Sequence, residues 1–305
     1  MKRDGAHTHV VSKRRLGEAA WFAALAVCLL AALARPARSE APAPPVAKAA
    51  GGCKRADFRV VIDVGHTLTI PGADSARGVP EYTFNLALAD TIKQSLVDAG
   101  FDKTVRLITT TAPWRGLVER AVGANDMHAD LFIAIHHDSV PNRLIETWEY
   151  EGQKHQFSDR FSGYSIFISN DNADPQGSLA FGRLLGLALQ ARGLHYTPHY
   201  TLPLMGRRQR VLLDSEAGVY SFDQLIVLRQ TRMPAVLLEA GSIVNRHDEL
   251  ELATPGRRAL VAAAVTAAVE DFCAARAQPG AERSAKPPQA PKAAPHRAGP
   301  AALAR

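Results

Sequence analysis

The chain has 305 residues and a formal net charge of +6, but that charge sits at its ends. Residues 1–39 carry seven Lys/Arg against two Asp/Glu, residues 277–305 carry five against one, and the body between them is net −3. A mildly acidic body excludes a binder of nucleic-acid backbones, which works by displacing counterions with a basic surface.

In chain order, residues 1–39 read as an export signal. A basic region through Arg14-Arg15 precedes an apolar stretch from Ala19 to about Leu33, and Ala37-Arg38-Ser39 supply a small-residue cleavage site. About 15 apolar residues are fewer than the roughly 20 that a span needs, so no stable membrane anchor is expected after removal of the signal. Residues 40–56 read as a flexible linker that opens Pro/Ala/Gly-rich. Residues 57–276 read as one folded domain, and 277–305 as a disordered Pro/Ala/Lys-rich tail.

Within the domain, strand and helix patterns alternate. Phe58–Val64 is a strand. Pro80–Gly100 is a helix, with Phe84, Leu88, Ile92 and Leu96 spaced by four, Pro at its start and Gly after its end. Val105–Thr109 is a second strand and Leu117–His128 a second helix. Leu131–His136 is a buried strand, followed by an irregular stretch from Val140 to Ser162. Tyr164–Ser169 is a strand, Ser178–Arg192 a helix, Ala235–Glu239 a strand and Pro255–Ala275 a closing helix. Val211–Arg229 fits no one pattern. This alternation implies an α/β fold: a mainly parallel sheet with helices on both faces, and ligands at the C-terminal ends of the strands. Once the signal is removed, Cys53 and Cys273 remain, near the two ends of the domain and on the face opposite those strand ends. In an oxidising compartment they can form a disulfide; two separate thiols are the alternative.

Ionisable residues close the apolar runs. Asp63-Val64-Gly65-His66 follows the first strand, His136-His137-Asp138 the third, and Glu239 the last; Glu81 opens the first helix. Two His and one Glu make a His₂Glu zinc set with a fourth position open for water, and a further Glu is available as proton shuttle. Each has an ordinary alternative: His66 as a loop histidine, Glu81 as a residue favoured by the helix dipole. A lone buried Glu239 is harder to explain away, because it is costly without a partner. Side chains alternate along a strand, so His136 and His137 cannot easily both face one metal. Asp138 is read either as orienting a histidine or as packing. His195 and His199 are four apart, a helical spacing, but Gly193 and Pro198 argue for a loop and against a second metal site. Arg207, Arg208 and Arg210 could meet carboxylates of a peptide substrate, but a solvated surface is the plainer reading.

These segments resemble the Amidase_3 family of zinc-dependent N-acetylmuramoyl-L-alanine amidases. The resemblance rests on Asp63-Val64-Gly65-His66, on Glu81 with Asn85-Leu86-Ala87-Leu88-Ala89, on Arg120 through Asn125 leading into Ala129–His136, and on Met233–Asn245. It implies zinc ligands at His66, Glu81 and His136 and a catalytic Glu239; His137 is then read either as supporting the site or as structural. It also implies cleavage of the amide joining the lactyl group of N-acetylmuramic acid to L-alanine, in wall remodelling or daughter-cell separation. Peptidoglycan is then the partner, a protein activator is compatible with the reading, and the location is periplasmic or secreted. His66-Thr67-Leu68 and Gly241-Ser242-Ile243 depart from the family pattern without removing a ligand. The rival readings are a zinc carboxypeptidase acting on wall peptides and a non-catalytic peptidoglycan-binding module.

Overall fold

The computed structural model describes residues 52–110 and 113–277; the expected signal, the linker up to residue 51 and the tail beyond 277 lie outside the described residues. The first strand, β1 (Val60–Val64), is buried along its whole length, as a central strand covered on both faces must be. Helix α1 (Glu81–Asp98) carries the chain over the sheet to β2 (Val105–Leu107), and α2 (Pro113–Asp126) carries it back to β3 (Leu131–Asp138). These two crossovers make β2, β1 and β3 parallel.

No helix crosses over between β3 and the next sheet strand. The stretch expected to be irregular instead forms an antiparallel hairpin, β4 (Glu146–Tyr150) and β5 (Gln153–Phe157), and the chain re-enters the sheet as β6 (Ser165–Ile168). Without a crossover the chain returns in the opposite direction, so β6 runs antiparallel to β9 (Ala235–Ser242). Helix α3 (Pro175–Gln190) follows, then β7 (Val211–Asp214), β8 (Val219–Ser221) and α4 (Ile226–Gln230), which resolve the unassigned 211–229 segment. After β9 come α5 (Asp248–Leu252) and α6 (Pro255–Arg276). The seven-stranded sheet has the order β2-β1-β3-β9-β6-β8-β7 and is parallel across its first four strands.

One face of the sheet packs Ile62, Ile133 and Leu238 against Leu88, Ile92 and Leu96 of α1, Phe181 of α3 and Val265 of α6. The other packs Val61, Phe132 and Leu237 with Tyr200, Tyr220 and Val227. The four-residue spacing read in α1 is its buried stripe, and Gly100 follows that helix with a φ of 88°. At the edge where the strands begin, Cys53 is bonded to Cys273 of α6, with a Cα–Cα distance of 5.4 Å. No helix among the described residues is long and apolar enough to cross a membrane.

Candidate metal and catalytic site

β3 and β9 are neighbours in register, with His136 opposite Glu239, so both side chains leave the sheet on the same face. Both strands run past these residues, to Asp138 and Ser242, rather than ending on them. The register slips between His136 and Asp138, where Ala240-Gly241 of β9 face a single residue of β3. Such a bulge re-aims the chain just beyond the two site residues.

His66 lies two residues past β1, with a φ of 66° that few non-glycine residues adopt. Arg120 of α2 holds this turn. Its guanidinium pairs with the buried Asp63 carboxylate at 2.6 Å and also donates to the carbonyls of Val64 and His66. The intervening Gly65 is required by contact: a Cβ there would lie 2.4 Å from Nε2 of His136.

Glu81 opens α1 and is almost fully buried. Its Oε2 faces His66 Nε2 at 2.9 Å, and its Oε1 faces His136 Nδ1 at 3.0 Å. The side-chain amide of Asn85 and the backbone N–H groups of His137 and Ala73 also donate to this carboxylate. Burial alone would raise the Glu81 carboxyl, but hydrogen bonds and charge from the two histidines hold it below the usual carboxylate range. Gly72, with φ 88°, passes so close that a Cβ would lie 2.4 Å from Glu81 Oε2.

His137 points to the other side of the strand, as alternation requires. Its Nδ1 lies 2.7 Å from Asn85 Oδ1, and its ring packs on Phe84. Since an amide oxygen only accepts, Nδ1 carries the proton, and burial depresses the His137 pKa to about 3. His137 therefore supports Asn85, which supports Glu81.

Asp138 reaches neither candidate histidine. It accepts a 2.8 Å bond from the Tyr200 hydroxyl, and its Oδ2 lies 3.6 Å from Nε2 of His199. Burial pushes Asp138 up to about 7, with the Tyr200 hydrogen bond opposing. His199, tied to Thr197 and stacked on Phe161, is depressed to about 4, chiefly by burial.

Glu239 has a buried Oε2 with no hydrogen-bond partner. Burial, reinforced by the negative charges of Asp138 and Glu81 and opposed by Arg208, raises its pKa well above the usual carboxylate range. A cavity of about 400 Å³ brings His66, Glu81, His136 and Glu239 together with Asp138, Tyr200, Arg208, Arg210 and Phe222. The structure thus assembles all four residues singled out in the sequence. Sequence reasoning missed the work of Arg120, Asn85 and Tyr200. Only Asn85 gave a local signal, being four residues after Glu81 on one helix face.

A profile of the N-acetylmuramoyl-L-alanine amidase family (Amidase_3) matches residues 60–271. The chain belongs to this family. Solved amidase structures share the fold. The N-acetylmuramyl-L-alanine amidase Ami1 from Mycobacterium smegmatis is 18% identical, with coverage of 71% of this chain and 97% of that one and a TM-score of 0.54. The catalytic domain of CwlV, an N-acetylmuramoyl-L-alanine amidase from Bacillus (Paenibacillus) polymyxa, is 24% identical, with coverage of 70% and 97% and a TM-score of 0.51. The N-acetylmuramoyl-L-alanine amidase from Clostridium difficile 630 is 19% identical, with coverage of 70% and 96% and a TM-score of 0.52. No curated protein matches the chain.

The enzyme class of this amidase is therefore that of its family, whose substrate is the cell wall. Its donor set fits a divalent cation. One nitrogen from each of His66 and His136 and one oxygen of Glu81 all lie within 4.8 Å of one another. His66 Nε2 and His136 Nδ1 reach different oxygens of Glu81, Oε2 at 2.9 Å and Oε1 at 3.0 Å, so the carboxylate lies between the two rings. Two neutral imidazoles and one carboxylate also leave a dication one net positive charge with which to activate a substrate.

Proposed function

We propose that the chain is an exported zinc amidase that hydrolyses the amide between the lactyl group of N-acetylmuramic acid and L-alanine, in wall remodelling or daughter-cell separation. The observation that carries this reading is the convergence of His66 Nε2 and His136 Nδ1 on the Glu81 carboxylate, in the cavity that also holds the unpartnered Oε2 of Glu239. Zinc bound by these three residues would polarise the scissile carbonyl and make a water molecule acidic enough to be deprotonated near neutral pH.

The chain's own part is to fix the ligands and to move one proton. Arg120 and Asp63 hold the His66 turn, while Asn85 and the Ala73 N–H orient the Glu81 carboxylate. Glu239 accepts the proton of the attacking water and delivers it to the departing amine of L-alanine. Its Oε2 has no competing donor, so it is free to take that proton. The signal at residues 1–39 would deliver the enzyme to the periplasm or beyond, where the Cys53–Cys273 bridge persists.

The test is mass spectrometry of material released from purified sacculi by the protein with zinc. Free peptides beginning with L-alanine are expected, together with glycan bearing unsubstituted lactyl groups. Glu239→Gln should lower the rate by about 10²–10⁴-fold, the usual contribution of a positioned acid–base group, while keeping its zinc. Shortened peptides still attached to glycan would instead identify a carboxypeptidase. Binding to sacculi without release, unchanged in Glu239→Gln and on addition of candidate activator proteins, would identify a wall-binding module.

A further inference from the structure

The basic run at 207–210 is not a uniformly solvated surface. Arg208 and Arg210 line the cavity that holds the candidate site, whereas Arg207 does not. Two successive 3-10 turns carry them, Pro198–Thr201 and Pro203–Arg208, the second kinked at Gly206; Arg208 ends the second and Arg210 lies two residues beyond it. The segment is anchored, because Met205 is buried in the core and the Arg210 N–H donates to the Tyr200 carbonyl at 2.8 Å. Arg208 is held against the cavity wall by a 3.0 Å bond to the Ser139 carbonyl, and the Arg210 guanidinium lies 3.6 Å above the Phe222 ring.

Arg210 donates through Nη1 to the carbonyls of Arg207 and Gln209, and Arg208 through Nη1 to Ser139, which leaves the Nη2 group of each guanidinium without a hydrogen bond among the described residues. Arg77, Arg120 and Arg246 are each paired with a carboxylate, but among the described residues no carboxylate lies within 4.0 Å of Arg208 or Arg210. Asp138 and Glu239 share the cavity and feel the charge of Arg208, yet each keeps a buried oxygen without a hydrogen-bond partner. Arg210 likewise keeps a buried, unpartnered Nε. Two neighbouring guanidiniums with unused donors form a receptor for a carboxylate, whose two oxygens match the arginine fork.

The site is also asymmetric. A second cavity, of about 280 Å³, shares His66 and His136 but is walled by Leu117, Leu225, Val227 and Leu237, and its one arginine, Arg120, is already paired with Asp63. An anionic arm of a substrate lying across the two histidines is therefore favoured on the Arg208 side only.

We propose that Arg208 and Arg210 bind a carboxylate of the peptide arm of the substrate, so that the enzyme prefers stem peptides with free carboxylates to amidated ones. The inference rests on the amidase reading above. The test compares native sacculi with sacculi whose carboxylates have been converted to carboxamides by carbodiimide and ammonium chloride. Wild-type protein with zinc should release peptide from subsaturating native sacculi about tenfold faster, the effect of roughly one charge-assisted hydrogen bond. It should also co-sediment more strongly with native sacculi. Arg208→Gln and Arg210→Gln should each reduce that preference, with Arg208→Lys recovering part of it through charge alone. Equal release and equal binding on the two substrates by wild type would overturn the inference while leaving the amidase reading intact. A variant that loses the same factor on both substrates would show that the arginine acts through Glu239 rather than on substrate, and would also overturn it. Wild-type protein that releases peptide from neither preparation would defeat the amidase reading itself.

Discussion

Breaking the Cys53–Cys273 bridge should cost the domain a large part of its stability while leaving the candidate site in place. The bridge joins residues 220 apart, so it closes nearly the whole domain into one loop. In the chain-entropy description, opening a loop of that length returns about 18 cal/mol/K to the unfolded chain, or about 5 kcal/mol at 25 °C. For a domain of this size each kcal/mol shifts Tm by about 2–4 °C, so reduction should lower Tm by about 10–20 °C. The assay is calorimetry of the oxidised protein, of the same protein in a phosphine reductant, and of Cys53→Ala/Cys273→Ala, with non-reducing peptide mapping beforehand to verify the cross-link. Cys273 is buried in the core, so the alanine variant should lose slightly more than the reduced protein, by the cost of a small cavity. Peptide release at 25 °C should be unchanged, because the bridge lies at the edge where the strands begin. A Tm that moves by less than about 3 °C in the reduced protein would refute the reasoning, since the ends of the chain would then be separating before the sheet unfolds.

Three further outcomes follow from the site. Arg120→Met strands the buried Asp63 carboxylate and frees the His66 carbonyl; urea denaturation should show a loss of about 3–5 kcal/mol, and zinc affinity should fall with it. Gly72→Ala places a Cβ against Glu81 at a φ that side chains rarely adopt, so zinc affinity, measured by competition with a chromophoric chelator, should drop roughly tenfold or more. His137 and His199 are held neutral, near 3 and 4 against an unfolded value of 6.5, so the unfolded chain binds the extra protons below pH 6.5. Their contribution is complete above that pH and is lost as the pH falls toward the folded values, by up to about 1.4 kcal/mol per unit for each histidine. Asp138, raised to about 7, acts in the opposite direction over part of the same range. Urea midpoints should therefore depend less steeply on pH in His199→Gln than in wild type.

The sequence made legible whatever depends on short-range pattern. The run Phe58–Val64 reads as a strand, of which Val60–Val64 forms β1, the spacing of Phe84, Leu88, Ile92 and Leu96 reads as a helix face, and both survive in the fold because local preference and burial agree. The four candidate residues were visible because each stands where an apolar pattern stops or is interrupted. The β4–β5 hairpin was not visible. Its aromatic side, with Trp148, Tyr150 and Phe157, is covered by Arg77 and Arg246 instead of by an apolar core, so its alternation is short and lies among charged and polar residues without a Val/Ile/Leu run. The reversal of direction at β6 was hidden for a related reason, because it follows from a missing crossover rather than from the strand itself. Arg120 and Arg208 were ambiguous because the groups they meet, the His66 turn and the Ser139 carbonyl, are 54 and 69 residues away along the chain.

The bridge has a topological consequence as well. Residues 53 and 273 are 5.4 Å apart at the Cα atoms, and Asp130, just before β3, borders the same hollow. The domain is thus nearly a ring, and the place where its backbone happens to be open lies remote from His66, His136 and Glu239. A chain reordered to begin within the exposed Glu151-Gly152 turn, with its former ends joined by a few residues across that hollow, would keep every strand neighbour and every site residue where it is. It would also no longer need an oxidant to hold its ends together.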